Sequence, residues 1–301
     1  MLRFGGFSAG ISDVEWPLHS PCHSSAEPKS HVDRDRVVLG VLLTATLSRS
    51  LRETAEMIEQ FIDITTSDST PDTPMVTFVV HPDSGGPHPL VLFFMDAPGM
   101  REEIRDMARR LATAGYYVMA PQLYYREVSE YNVFDTGDRD RMFELMSGLS
   151  NNMVVSDSRA LIAHAEADPA ANTERVGAVG YCMSGPFAVY LLGQLPGQVV
   201  AGASFHGVRL VVDTDDSPHL QLANASGEVY VGAAETDSYA PPEMIDAFEA
   251  ARVEAGCAGR TEWYPGTEHG FAFRERPLYD KAASERHWER LHDLFARNLR
   301  G

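Results

Sequence analysis

RVGAVGYCMSGPFAVYLL, residues 175–192, decides the fold. Val176, Ala178 and Val179 form a short apolar, partly β-branched run that predicts a buried strand, and the apolar residues after Ser184 predict a buried helix. Between them stands Gly180-Tyr181-Cys182-Met183-Ser184-Gly185, whose small residues let the chain turn sharply. This is a nucleophile elbow with sulfur in place of oxygen: it puts the Cys182 side chain at the C-terminal end of the strand, above a helix N-terminus. The unpaired N–H groups and the positive dipole end of that helix favour a thiolate. Taken alone, Cys182 reads better as a structural cysteine beside a tight turn. Residues further along the chain reverse that preference.

Strands and helices alternate outward from this turn. Before it, residues 76–81 and 90–95 predict strands joined through the turn cluster Asp83-Ser84-Gly85-Gly86-Pro87. Residues 101–114 have helical spacing (Ile104, Met107, Ala108, Leu111) and end at Gly115, a C-cap. Residues 116–120 predict a strand stopped by Pro121, and 139–149 and 154–167 predict helices. After the turn, 199–205, 228–233 and 261–264 predict strands, 241–254 a helix between the last two, and 277–299 a long closing helix. The alternation predicts an α/β fold with right-handed crossovers and a mostly parallel central sheet carrying helices on both faces. Sites in such sheets lie at the C-terminal ends of the strands.

Composition narrows the function. A chain of 301 residues, 44% hydrophobic, buries a substantial core in one large domain or two smaller ones. Its net charge of −18 argues against nucleic acid or an anionic membrane as partner, since either needs a basic face. Cys22, Cys182 and Cys257 are widely spaced and form no CxxC, so neither a disulfide framework nor a zinc site is expected, and a reducing cytoplasm fits best. Residues 1–56 are expected to be a disordered or weakly ordered extension, or an over-called start, with the domain at 57–301. The apolar run 37–47, VVLGVLLTATL, is too short to span a bilayer. As the apolar part of a signal peptide it lacks the short basic segment expected before it.

Two further segments carry chemistry. Val229-Tyr230-Val231-Gly232-Ala233-Ala234-Glu235-Thr236-Asp237 runs from an apolar strand straight into acids, and in Tyr264-Pro265-Gly266-Thr267-Glu268-His269-Gly270-Phe271 a histidine follows a strand and a Pro-Gly turn. Singly, Asp237 reads as a helix cap or solvated acid and His269 as a surface histidine. Jointly, a nucleophile, an acid and a histidine in this order, each after its own strand, form the constellation of a hydrolase.

With these residues the chain resembles the dienelactone hydrolase family, cysteine-dependent members of the α/β-hydrolase fold. The resemblance covers about 57–299 and rests on GYCMSG (180–185), AETDSYAPPE (234–243) and EHGFAF (268–273), with MAPQLYYR (119–126) resembling the segment after the third main strand. It implies Cys182 as nucleophile, His269 as base and Asp237 as the acid that orients it. It implies an oxyanion hole from the N–H groups of Ala97 and Met183, and an acid, Asp96, set against the resting cysteine. Ser184 stands where the fold usually has a glycine, and Phe273 falls where family lactonases have a substrate-binding arginine. Arg274, one residue on, is the expected replacement, with Arg139 or Arg141 as its companion, and His206 either lines the pocket or is a capping or solvated histidine. The implied reaction cuts a small-molecule ester or lactone through a thioester, as carboxymethylenebutenolidases do, without metal or organic cofactor. A non-catalytic binding protein on the same fold, a cysteine acyl transferase and a redox-responsive thiol protein remain the alternatives; the oligomeric state is open.

Overall fold

The computed structural model describes residues 56–69 and 73–300. Cys22, the apolar run 37–47 and the rest of the expected extension up to residue 55 lie outside the described residues. The strands are β1 (Met57–Ile64), β2 (Met75–Pro82), β3 (His88–Phe94), β4 (Tyr117–Pro121), β5 (Ala171–Tyr181), β6 (Val199–Phe205), β7 (Glu228–Thr236) and β8 (Ala258–Glu268). The helices are α1 (Glu102–Thr113), α2 (Val133–Thr136), α3 (Arg139–Ser147), α4 (Asn151–Glu166), α5 (Gly185–Gln194), α6 (Pro242–Glu254) and α7 (Lys281–Leu299).

All eight strands form one sheet in the order β1-β2-β4-β3-β5-β6-β7-β8. The β1–β2 and β2–β4 pairs are antiparallel and every pair from β4 to β8 is parallel. This is the mostly parallel α/β sheet that the alternation predicts. The central strands read as continuous apolar runs because both faces are covered: every residue of β4 and β6 is buried, as is β5 from Val176 to Tyr181.

The sheet order has one consequence for function. Strands β5, β6, β7 and β8 are neighbours and parallel, so their C-terminal ends share one edge. The first residues after them are Cys182, His206, Asp237 and His269.

Two departures from the sequence reading have a physical reason in the local structure. Strand β1 escapes it because Glu59, Gln60 and Phe61 are all exposed on this edge strand, leaving no alternation of buried and exposed positions. The closing helix begins at Lys281 rather than 277, because the Asp280 carboxylate caps it by accepting the Ala283 N–H at 2.7 Å. Helix α7 is tied to β8 through Glu262, which accepts from Arg286 and, at 2.9 Å, from Arg290. Burial opposes the charge of Glu262, but hydrogen bonds from Arg290, Tyr230 and Arg286 prevail and pull its pKa down to about 2. No helix among the described residues is long and apolar enough to cross a membrane.

Candidate active site

The turn after β5 is built from close approaches. A Cβ on Gly180 would meet the Ser184 carbonyl oxygen at 2.0 Å, and one on Gly185 would meet Ser204 Oγ at 2.4 Å, so only glycine fits at either place. Ser184, the bulkier residue in this turn, is fully buried and braces it: Oγ accepts from the Tyr181 N–H at 2.8 Å and lies 3.2 Å from the Phe94 carbonyl oxygen as a donor. Cys182 stands at φ 54°, in the left-handed region, and opens the single 3₁₀ turn Cys182–Ser184 that leads into α5. Holding a residue with a side chain there costs about 1–3 kcal/mol, strain of the kind that collects at functional sites.

The ends of β7 and β8 supply the acid and the imidazole. His269 Nδ1 donates to Asp237 Oδ2 at 2.6 Å. The other oxygen, Oδ1, accepts the Tyr239 N–H at 2.9 Å and the Ala240 N–H at 3.2 Å, so the carboxylate is held on both sides. With Nδ1 committed to the acid, Nε2 is the ring nitrogen left for a second partner. Burial opposes a charge on His269, but the Cys182 and Asp237 negative charges and their hydrogen bonds override it and raise the imidazole pKa to about 10.

Ala97 and Met183 are buried on the same side, and the Ala97 N–H has no backbone acceptor among the described residues. The Tyr124 hydroxyl bridges the two: it donates to the Ala97 carbonyl at 2.8 Å and lies 3.1 Å from Met183 Sδ. Burial, followed by the charges of Asp96 and Cys182, raises the Tyr124 pKa, which keeps the phenol a neutral donor. The sequence signal for Tyr124 was the segment MAPQLYYR, which pointed to the region without singling out the residue.

Asp96 has partners that its sequence context does not contain. Its carboxylate, fully buried, is gripped by two guanidinium groups: Arg101 Nη1 at 2.5 Å from Oδ1, and Arg276 Nη2 on Oδ2. Arg101 also pairs with Glu103 at 2.8 Å, and the Glu275 N–H donates to the other Glu103 oxygen at 2.8 Å. Phe273, at the spacing where an arginine was expected, lies beneath both cations, its centroid 5.0 Å from the Arg101 guanidinium carbon and 5.1 Å from that of Arg276.

Of the three arginines expected at the site, two are exposed and the third is paired with acids. Arg274 and Arg139 are exposed, and the Arg141 guanidinium is engaged by Glu144 at 3.1 Å and Glu127 at 3.5 Å. The loop turns inward two residues beyond Arg274 and so delivers Arg276 instead. His206 is buried and packs edge to face on His269, with ring centroids 4.9 Å apart. It is not a solvated histidine, and among the described residues neither ring nitrogen has a hydrogen-bond partner.

A cavity of about 130 Å³ adjoins the elbow through Met183, between the end of α3 and the loop after β6. Met146, Leu149, Phe187, Val208 and Val212 give it an apolar wall and Arg209 a cationic one, while Cys182, Asp237 and His269 do not line it. Among the described residues no cluster of three or more His, Cys, Asp or Glu side chains is placed to hold a metal ion.

Comparison with known proteins gives several likenesses. A model of the dienelactone hydrolase family matches residues 75–299. A candidate carboxymethylenebutenolidase of Methylorubrum extorquens is 31% identical over 71% of this chain and 74% of its own length. Carboxymethylenebutenolidase of Rhodococcus opacus is 26% identical over 76% of this chain and 89% of its own. Among solved structures, a candidate dienelactone hydrolase of Klebsiella pneumoniae superposes with a TM-score of 0.72 at 23% identity, covering 80% of this chain and 99% of its own. A dienelactone hydrolase-like promiscuous phosphotriesterase from metagenomic libraries superposes at 0.67 with 20% identity, over 80% and 98%. The likeness to these structures identifies an α/β-hydrolase fold.

Proposed function

The chain belongs to the dienelactone hydrolase family and is a hydrolase of ester or lactone bonds, and we propose that it cuts them with a Cys182–His269–Asp237 triad through a thioester intermediate. The observation that supports this reading is the 2.6 Å hydrogen bond from His269 Nδ1 to Asp237, on an imidazole whose pKa Cys182 and Asp237 raise against burial. The Cys182 sulfur attacks the carbonyl carbon of a small-molecule ester or lactone. The oxyanion that forms is held by the N–H groups of Ala97 and Met183, and Tyr124 keeps the first of these residues aimed by bonding its carbonyl. His269 gives its proton to the leaving alcohol, then takes one from the water that cleaves the thioester. Asp237 holds the imidazole in the required tautomer and balances its positive charge. The residues in these roles need no metal or organic cofactor.

The cation cluster bears on substrate choice. Arg101 and Arg276 are matched by Asp96 and Glu103, so the cluster has no surplus positive charge to offer a substrate carboxylate. We therefore expect neutral esters and lactones to be preferred over carboxylate-bearing ones. A cytoplasmic setting follows from the cysteine usage rather than from the fold. The test is a screen of aryl esters and lactones with the wild type and Cys182→Ala, together with intact-mass detection of an acyl adduct. Turnover should fall at least about 10³-fold in the variant. Hydrolysis that survives Cys182→Ala would end the nucleophile assignment.

A further inference from the structure

Among the described residues, three that are not glycine stand at positive φ: Cys182 at 54°, His206 at 38° and Arg209 at 56°. Such a conformation is unfavourable for an L side chain and persists where the surroundings over-determine it, most often at functional sites. Cys182 and His206 belong to the sheet edge that carries the proposed triad. Arg209 does not: it lies in the loop after β6 and lines the cavity of about 130 Å³ beside the elbow. That loop is fastened to the elbow itself, since the Val208 N–H donates to the Cys182 carbonyl at 3.1 Å. Further on, Ser217 Oγ accepts the Val212 N–H at 2.9 Å and Asn151 Nδ2 donates to the Asp216 carbonyl at 2.8 Å, so the fold itself holds the wall in place. The lining changes character from one end to the other. Met183, Phe187 and Val208, next to the elbow, are buried and apolar, whereas Ser147, Arg209 and Thr214 are exposed and mark the mouth. Arg209 and Asp216 bring one charge of each sign, so the lining as a whole is neutral.

We infer that this cavity receives the acyl side of the substrate and selects a neutral acyl group of about five or six carbons, an apolar cavity of about 150 Å³ being enough for benzene. This rests on the triad and thioester reading above, and it names the substrate class for that site. His269 must reach the leaving oxygen to protonate it, so the alcohol lies on the His269 side of the reacting carbon. Neither His269 nor Asp237 lines the cavity, which begins instead at Met183, whose N–H is a proposed holder of the oxyanion. The alcohol therefore departs on one side, and the acyl chain, bonded to the Cys182 sulfur, runs past Met183 on the other. The apolar end next to the elbow takes the carbons nearest the carbonyl, and the balance of Arg209 and Asp216 gives a charged chain no advantage.

The test is kcat/KM for nitrophenyl acetate, butyrate and hexanoate with the wild type, Val212→Phe and Met146→Trp, two substitutions that fill the cavity from different walls. In the wild type each buried methylene should raise kcat/KM about fourfold, so that the hexanoate exceeds the acetate at least about tenfold. In both variants the hexanoate-to-acetate ratio should fall at least about fivefold, whereas a general loss of packing would lower the two esters alike. Hexyl acetate against ethyl acetate lengthens the alcohol instead, and that ratio should not respond to either substitution. Equal kcat/KM for acetate and hexanoate in the wild type, or a ratio that both variants leave as it was, would overturn the assignment. So would a hexyl-to-ethyl ratio that falls in the variants, which would put the alcohol in the cavity. If Val212→Phe does not fold, Met146→Trp decides by the same ratios. Failure of the thioester reading shows separately, as the absence of any acyl adduct in intact-mass spectra of the wild type.

Discussion

Arg276 donates to the Asp96 carboxylate across 180 residues of chain, joining the loop that carries His269 to the turn that carries Ala97. The base and one donor of the proposed oxyanion hole are thereby braced by the same ion pair. Asp96 is fully buried, so its charge is tolerated only because Arg276 and Arg101 both reach it.

This pairing distinguishes two arginines of one loop. Arg276→Ala should lower stability by about 1–3 kcal/mol and reduce kcat/KM for a neutral aryl ester, since it leaves a buried carboxylate with one partner fewer. Arg274→Ala, at an exposed position, should stay within about 0.5 kcal/mol of wild type. Denaturant melts and ester kinetics on both variants check this, and equal effects would remove the brace from the account. Asp96→Asn should likewise destabilise, because two guanidinium groups lose the charge that holds them.

His269 sets a pH dependence of defined sign. Its folded pKa, about 10, lies above the ordinary 6.5, so the protonated ring is bound more tightly by the folded chain. The stabilisation is complete below about pH 6.5 and is lost as pH rises through about 10. In Cys182→Ala one of the two negative partners is gone, and the imidazole should titrate nearer its ordinary value. Imidazole NMR signals followed across pH in both proteins measure the difference; identical titrations would show that Cys182 does not act on the ring.

Glu262 sets the opposite dependence. Held at about 2 by Arg290, Tyr230 and Arg286 against an ordinary 4.5, it contributes stability that is present above about pH 4.5 and is lost as pH falls through about 2. Glu262→Gln should lower stability at neutral pH by about 1–3 kcal/mol and flatten the acid side of the curve of Tm against pH. A curve that keeps its acid limb would place the loss elsewhere.

The first 55 residues are proposed to be dispensable. A chain beginning at Glu56 keeps β1 and the bond from the Asp83 N–H to the Glu56 carbonyl at 2.8 Å, the anchor of the first hairpin. It should fold and hydrolyse esters at a rate within about threefold of the full chain, a difference of less than 1 kcal/mol. Failure to fold would mean that the preceding residues pack on the domain.

What the sequence by itself determined are features written in local spacing. The elbow at 180–185 was legible because a strand, a turn of small residues and a buried helix follow one another within 18 residues, and the sheet was legible because apolar runs and helical patterns alternate from 76 onward. The order of Cys182, Asp237 and His269 was legible because each follows its own strand, and parallel strands bring their ends to one edge whatever the intervening lengths. The tertiary structure decided what depends on partners distant in the chain. Strand β1 exposes four consecutive residues, 58–61, and shows no regular alternation, so it is a strand through its pairing with β2 rather than through its own pattern. Arg274 and Arg276 are indistinguishable by residue type; which of them faces inward depends on how the loop after His269 meets Asp96. Tyr124 at Ala97, and the unpaired ring of His206 against His269, likewise come from chain segments meeting at the sheet edge, where burial and charge act on a side chain through neighbours that its own sequence context does not contain.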